Sequence, residues 1–273
     1  MQKLDRLGWT DGFAVRCYGR RIGVRTNVPD VLDDLLARLP LGWRPAASPV
    51  VETIFSLRLG GTAAQKGPRQ YTLLMGRYKL VRSPDLDAVL NFFAQQIEFY
   101  VAETAHRRVF IHAGVVGWRG QAILIPGRTL SGKSTLVAAL VRAGARYYSD
   151  EFAVLDARGR VHPYPRLLSM RETPAAPPQR IPVEALGGRV GHMPLPVGLV
   201  LMTEYQAGAQ WQPQILSPGH GAIAILNHTI SLQTQPELTL TALEQVTTHA
   251  RIWQGPRGEA PALAATLLES LRG

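Results

Sequence analysis

Cysteine is nearly absent: Cys17 is the single one in 273 residues. That excludes an internal disulfide framework and any metal site built on cysteine, and it agrees with a reducing compartment. Cys17 itself reads as a small strand residue rather than a nucleophile. Long apolar runs are also missing. None approaches the ~20 residues that span a bilayer, and the opening MQKLDRLGWTDGF lacks the apolar centre of a signal peptide. The expectation is a cytoplasmic protein with no membrane partner. The chain has no run of four or more basic residues, no zinc-finger spacing and no aromatic ribonucleoprotein signature, although its net charge is +10. Nucleic acid therefore has no motif behind it. A nucleotide, a phosphorylated product or an acidic peptide accounts for the charge equally well.

What is present fits a soluble globular protein of one to two domains, with 46% hydrophobic and 18% charged residues. Residues 12–26 alternate apolar and polar about a turn at Tyr18 to Arg20, a hairpin signal. Pro29 and Asp30 open a short helix stopped by Pro40 and Gly42. Thr53 to Leu59 and Tyr71 to Val81, turned near Gly76, predict three more strands. Ser83 and Pro84 are expected to cap a longer helix with Leu86, Val89, Leu90, Phe93, Ile97, Tyr100 and Val101 on one stripe. Together these predict a small α+β N-terminal module over 1–105. A second domain, 106–273, follows. In it Val109 to Val116 and Ala122 to Ile125 form a hairpin with antiparallel neighbours. Thr135 to Arg142 is a helix, and Tyr147 to Ser149 is a strand ending in Asp150 and Glu151. A further hairpin runs to Tyr164. Residues 171–182 are proline-rich without apolar periodicity and read as a loop, either a lid or a linker. Val197 to Thr203 is a buried strand, and the tail reads as three helices opened at Pro218, Pro236 and Pro261. The fold class is α/β with a mixed sheet.

The stretch ILIPGRTLSGKST carries the chemistry. A strand leads to Gly127, then Arg128, Thr129, Leu130 and Ser131, then Gly132, Lys133, Ser134 and Thr135, which is the spacing of a phosphate-binding loop. The glycines let successive N–H groups point at phosphate oxygens, and the helix that follows adds its positive end. Lys133 would meet the terminal phosphates and the Ser134 hydroxyl would sit on Mg²⁺. The plain alternative is a glycine turn capped by Ser131. After the loop, Asp150 ends a strand where an acidic residue facing the metal is usual; the plain alternative is a surface cap.

The run IHAGVV, the hairpin, GRTLSGKST, a helix and RYYSDEFAVLD together resemble the HPr kinase/phosphorylase group, whose nucleotide-binding core is related to phosphoenolpyruvate carboxykinase. The closer likeness is to HPr-kinase-related proteins of bacterial biosynthetic clusters, some of which phosphorylate a serine of a precursor peptide. The resemblance covers Val109 to Arg171 most specifically. It implies ATP on Gly127 to Thr135, His112 in the family histidine position, Asp150 as the base, and Glu151 beside the metal. The helix starts as GKST where HPr kinases usually carry an acidic residue after the serine, and their C-terminal glycine-arginine-asparagine signature has no counterpart. His112 reads equally as a core histidine, and Arg171 or Arg166 as an arginine finger or a surface residue. The expected activity is ATP- and Mg²⁺-dependent phosphorylation of a hydroxyl, a serine of a small protein or ribosomal peptide, in a protein that could self-associate. A small-molecule kinase and a non-catalytic ATP-binding partner protein are the alternatives.

Overall fold

A computed structural model of the chain describes residues 8–61, 68–171, 176 and 179–271, and most of the proline-rich stretch after Arg171 lies outside them. The fold is mixed α/β and divides into two units, Met1–His106 and Arg107–Gly273.

In the first unit, β1 (Asp11–Cys17), β2 (Arg20–Thr26), β3 (Arg44–Pro45), β4 (Thr53–Gly60), β5 (Gln70–Met75) and β6 (Tyr78–Ser83) form one sheet ordered β3-β1-β2-β4-β5-β6. Strand alternation puts Val15, Cys17, Ile22, Val24, Phe55, Leu57 and Leu73 on one face. Helices α1 (Leu32–Ala37) and α2 (Leu86–Thr104) supply the rest of that core, α2 through the expected stripe of Val89, Leu90, Phe93, Ile97 and Val101. The cap of α2 differs from expectation. Asp85 accepts the Ala88 N–H at 3.2 Å, while Ser83 accepts the N–H of Asp85. Burial, with the Glu98 carboxylate, pushes the Cys17 thiol up to about 12, which leaves it a packing residue. Phe55 and Phe93 meet edge to face at 5.6 Å. Phe93→Ala is therefore expected to destabilise the protein by about 3–5 kcal/mol in urea denaturation; a loss below ~1 kcal/mol would contradict this packing.

In the second unit, β7 (Val109–Trp118) and β8 (Gln121–Pro126) make the expected hairpin. The neighbour of β8 on its other side is β14 (Leu195–Tyr205), and that pairing is parallel where an antiparallel neighbour was expected; it makes the sheet mixed, in keeping with the expected fold class. Beyond β14 lies β16 (Arg251–Arg257), also parallel, with the two-residue β15 (Gln214–Ile215) at the edge. The sequence RIWQGPR, read as part of a helical tail, is thus a strand two places from the glycine motif. On the other side, β9 (Arg146–Ser149), β10 (Phe152–Leu155) and β11 (Arg160–His162) complete the sheet through β7. A separate pair, β12 (Leu168–Met170) and β13 (Gln179–Ile181), puts a strand inside the stretch that composition reads as loop.

Helices cover both faces of this sheet. Ile123 and Ile125 point to one face with α3 (Lys133–Arg142) and α6 (Ala260–Ser270); Ala122 and Leu124 point to the other with α4 (Pro218–Leu226) and α5 (Pro236–His249). Gly114 lets α3 lie close on β7, since a Cβ there would come within 2.6 Å of a Val137 methyl. No helix among the described residues is long and apolar enough to cross a membrane.

The turn between β10 and β11 is held by Asp156, whose carboxylate accepts the N–H groups of Arg158 and Arg160 and meets His162 Nε2 at 2.9 Å. Burial pushes this carboxyl up, but the His162 bond and the two N–H donors outweigh it and hold it below the usual range. A lowered carboxyl stabilises the fold above its unfolded-state pKa and loses that contribution as pH falls through the folded-state value. Asp156→Asn should thus cost about 1–2 kcal/mol near neutral pH. The gap to wild type should narrow below about pH 4; a gap unchanged by acid in thermal melts would refute the assignment.

Candidate active site

The glycine segment leaves the sheet at its centre. β8 is buried along nearly its whole length and ends at Pro126, and Gly127 donates to the His112 carbonyl at 3.3 Å, which ties the loop's start to β7. At Gly127 space is tight. A Cβ there would lie 2.7 Å from Ser131 Oγ and 3.3 Å from Lys133 Cγ. At Gly132 glycine is required by conformation, with φ +84° at the N-cap of α3. Leu130 also has positive φ, +69°, and stands exposed at the loop.

The start of α3 is unmet by side chains. It has no side-chain cap and no acidic residue in its first turn. Leu136 N–H is the first to reach back, to the Gly132 carbonyl, and the amides of Gly132, Lys133, Ser134 and Thr135 have no acceptor among the described residues. Inside the same loop, buried Ser131 Oγ has no partner either. Orphan N–H groups at a helix start attract anions, and an unpaired buried hydroxyl costs ~1–3 kcal/mol.

Two cations close on these groups. Lys133 is 7% exposed and its Nζ donates to the carbonyls of Gly127 (2.8 Å) and Arg128 (2.7 Å). An ammonium has three N–H groups, so one remains for a ligand oxygen. Burial lowers the Lys133 pKa to about 8, against the pull of Glu151 and Asp150. The second cation, Arg257 at the end of β16, is 2% exposed. It donates to the Gly132 carbonyl at 2.9 Å and to its neighbour's Gly258 carbonyl, with its guanidinium 5.5 Å from the Tyr205 ring centroid. Arg257 and the Leu136 N–H both hold the Gly132 carbonyl, so the planar peptide points the Lys133 N–H the opposite way. Burial lowers the Arg257 pKa, yet a guanidinium stays charged at any physiological pH.

The carboxylates come next. Asp150, 4% exposed, accepts Ser134 Oγ–H (3.0 Å) and Ser169 N–H (2.9 Å) on Oδ2, and Tyr147 O–H (2.9 Å) on Oδ1. Burial pushes its carboxyl above the usual range, the three hydrogen bonds oppose that, and the Glu151 charge adds to it. Glu151 is more open, its side chain 45% exposed, with Oε1 3.6 Å from His112 Nε2. Burial pushes Glu151 up as well, but His112, Arg166 and Lys133 outweigh it and hold the carboxyl below the usual range.

The structure therefore gathers Gly127 to Thr135, Asp150, Glu151 and His112 in one place, with Arg166 acting on Glu151. Arg171 is not drawn in: it is exposed and its guanidinium donates to the Ala176 carbonyl. Sequence reasoning missed Arg257, Tyr147 as a ligand of Asp150, and His228. The His228 carbonyl accepts His112 N–H at 2.8 Å, and its ring pKa is lowered by burial and by the nearby charges of His112, Lys133 and Arg128. Nothing in the local sequence about residues 228 or 257 marks either; only strand pairing brings them here. Among the described residues no group of three histidine, cysteine or acidic side chains is arranged to hold a metal ion by itself.

No family model matches the chain, and no curated protein matches it. Among solved structures, the chain is similar to that of the Hpr(Ser) kinase/phosphatase from Coxiella burnetii, at 16% identity and a TM-score of 0.34, over 60% of this chain and 95% of that one. A likeness that loose carries no weight. The chemistry of the site has to speak for itself.

Proposed function

We propose that this protein is an ATP-dependent kinase that moves the γ-phosphoryl group to a hydroxyl, with a serine of a small protein or ribosomally made peptide as the acceptor. One observation carries the reading. Four unmet amides, an orphan buried hydroxyl, Lys133 and Arg257 converge on a helix start whose own first turn carries no acidic residue. A triphosphate is the ligand that answers all of them. Ser131 Oγ and the third N–H of Lys133 gain acceptors, and the helix dipole gains its counter-charge.

Magnesium fits beside Ser134, whose hydroxyl already rests on Asp150, and when bound it would neutralise charge on the phosphate oxygens. This division of labour reverses the one implied by resemblance. Asp150 has both oxygens engaged and lies on the metal side, whereas Glu151 is open enough to receive a proton. The Glu151 carboxylate takes the acceptor's hydroxyl proton as the oxygen bonds to the γ-phosphorus. The bond to the β–γ bridging oxygen breaks, and ADP leaves. His112 orients Glu151, and Arg166 adds positive charge beside it.

The test is calorimetry of ATP with and without magnesium, followed by transfer of labelled γ-phosphate to serine-containing peptides. Saturable, magnesium-dependent binding with transfer supports the proposal. No heat of binding would end it; binding without transfer to any hydroxyl would reduce it to a nucleotide-binding protein.

A further inference from the structure

The sheet of the first unit has a second face, turned away from its helices, and it is covered with arginine. Because β1 puts Val15 and Cys17 into the core, Arg16 lies opposite. Its in-register neighbours are Arg44 on β3 and Arg21 on β2, so three arginines stand in one row across three strands. Like charges directly opposite one another cost stability. Glu52 offsets only the Arg21 end, at 3.9 Å; among the described residues neither Arg16 nor Arg44 has a carboxylate within ion-pair reach. A second row, Arg58–Thr72–Arg82, crosses β4, β5 and β6 on the same face, and Arg58 Nε is buried without a partner. Between Arg16–Arg21 and Arg25 the face dips into a shallow groove lined by Gly12, Ala14, Gly23, Ala47, Pro49 and Ile54.

We infer that this groove binds an extended acidic peptide segment, with carboxylates on the arginine rows and a small apolar side chain between them. Arg16 and Arg44 stand side by side at one end of the groove, so an acidic side chain of the ligand meets them while the next residues of an extended chain, about 3.3 Å apiece, run over Ala14, Gly12 and Gly23. The floor of small side chains leaves room for a backbone to lie flat. Nucleic acid is the poorer fit, since sheet faces that take bases offer aromatic rings for stacking. The positions on this face of β1, β2 and β4 carry none, and Trp9 beside them is already covered by Arg25, 4.4 Å away, which also donates to Ser56 Oγ. The inference stands whether or not the second unit takes a nucleotide.

The probe is a dye-labelled peptide repeating glutamate-alanine-valine-alanine, titrated by fluorescence anisotropy into the full chain without ATP, beside an oligouridylate of equal charge. Binding that weakens with salt is expected. Reversing Arg16 and Arg44 together to glutamate should weaken it about tenfold or more. Reversing Arg158 and Arg251, both exposed in the second unit, changes net charge equally and should move it less than twofold. Should the double reversal fail to fold by circular dichroism, Ala47→Trp, at the exposed lip of the groove, should block the peptide instead. Equal loss in both reversals, peptide binding unmoved by Ala47→Trp, no saturable binding to wild type, or tighter binding of the oligouridylate would each overturn the inference.

Discussion

Lys133→Met should remove magnesium-ATP binding almost completely and lower any γ-phosphoryl transfer by at least ~10²-fold. The side chain is buried under the loop, so methionine keeps most of its volume while deleting the ammonium. Two effects follow from that deletion. The carbonyls of Gly127 and Arg128 lose their donor, which costs about 1–3 kcal/mol of stability. The terminal phosphates also lose their nearest point charge. Calorimetry read beside a thermal melt separates the two. A variant that melts a few degrees lower and still binds ATP with wild-type affinity would show that Lys133 is a strut for the loop and not a phosphate ligand.

Glu151→Gln and Asp150→Asn should fail in different ways. Removing a general base costs ~10²–10⁴ in rate. Glu151→Gln should therefore lose kcat on that scale while keeping magnesium-ATP affinity within a fewfold of wild type. Asp150→Asn should mainly raise the magnesium concentration needed for ATP binding, because Asp150 holds Ser134 Oγ and is itself held by Tyr147 and Ser169. The same substitution also disturbs a buried network, so its melting temperature should fall where that of Glu151→Gln should not. The opposite pattern, with Glu151→Gln starved of magnesium and Asp150→Asn intact in binding but dead in rate, would restore the division implied by resemblance.

The parts of this site legible in the sequence are those set by short spacing. Gly127, Gly132, Lys133 and Ser134 fall within eight positions, and the strand before them and the helix after them are visible as short apolar runs. Asp150 and Glu151 are legible as a pair at a strand end. Their roles are not, because those depend on which oxygen meets Ser134 and which carboxylate stays open, and tertiary packing decides both. In the first unit, alternation and the α2 stripe sufficed for nearly every element, since each buries one face on a single core. β16 escaped because glycine and proline interrupt RIWQGPR, and because only Ile252 and Arg257 of its seven residues are buried, which leaves no apolar run to read. Arg257 escaped with it.

That arginine is 125 residues from the carbonyl it holds. A fragment ending after β14 would retain every letter of the glycine motif and still lack the guanidinium that holds the Gly132 carbonyl. The motif is consequently not a transplantable cassette in this chain: its competence is assembled only when the last strand has been synthesised and laid into the sheet.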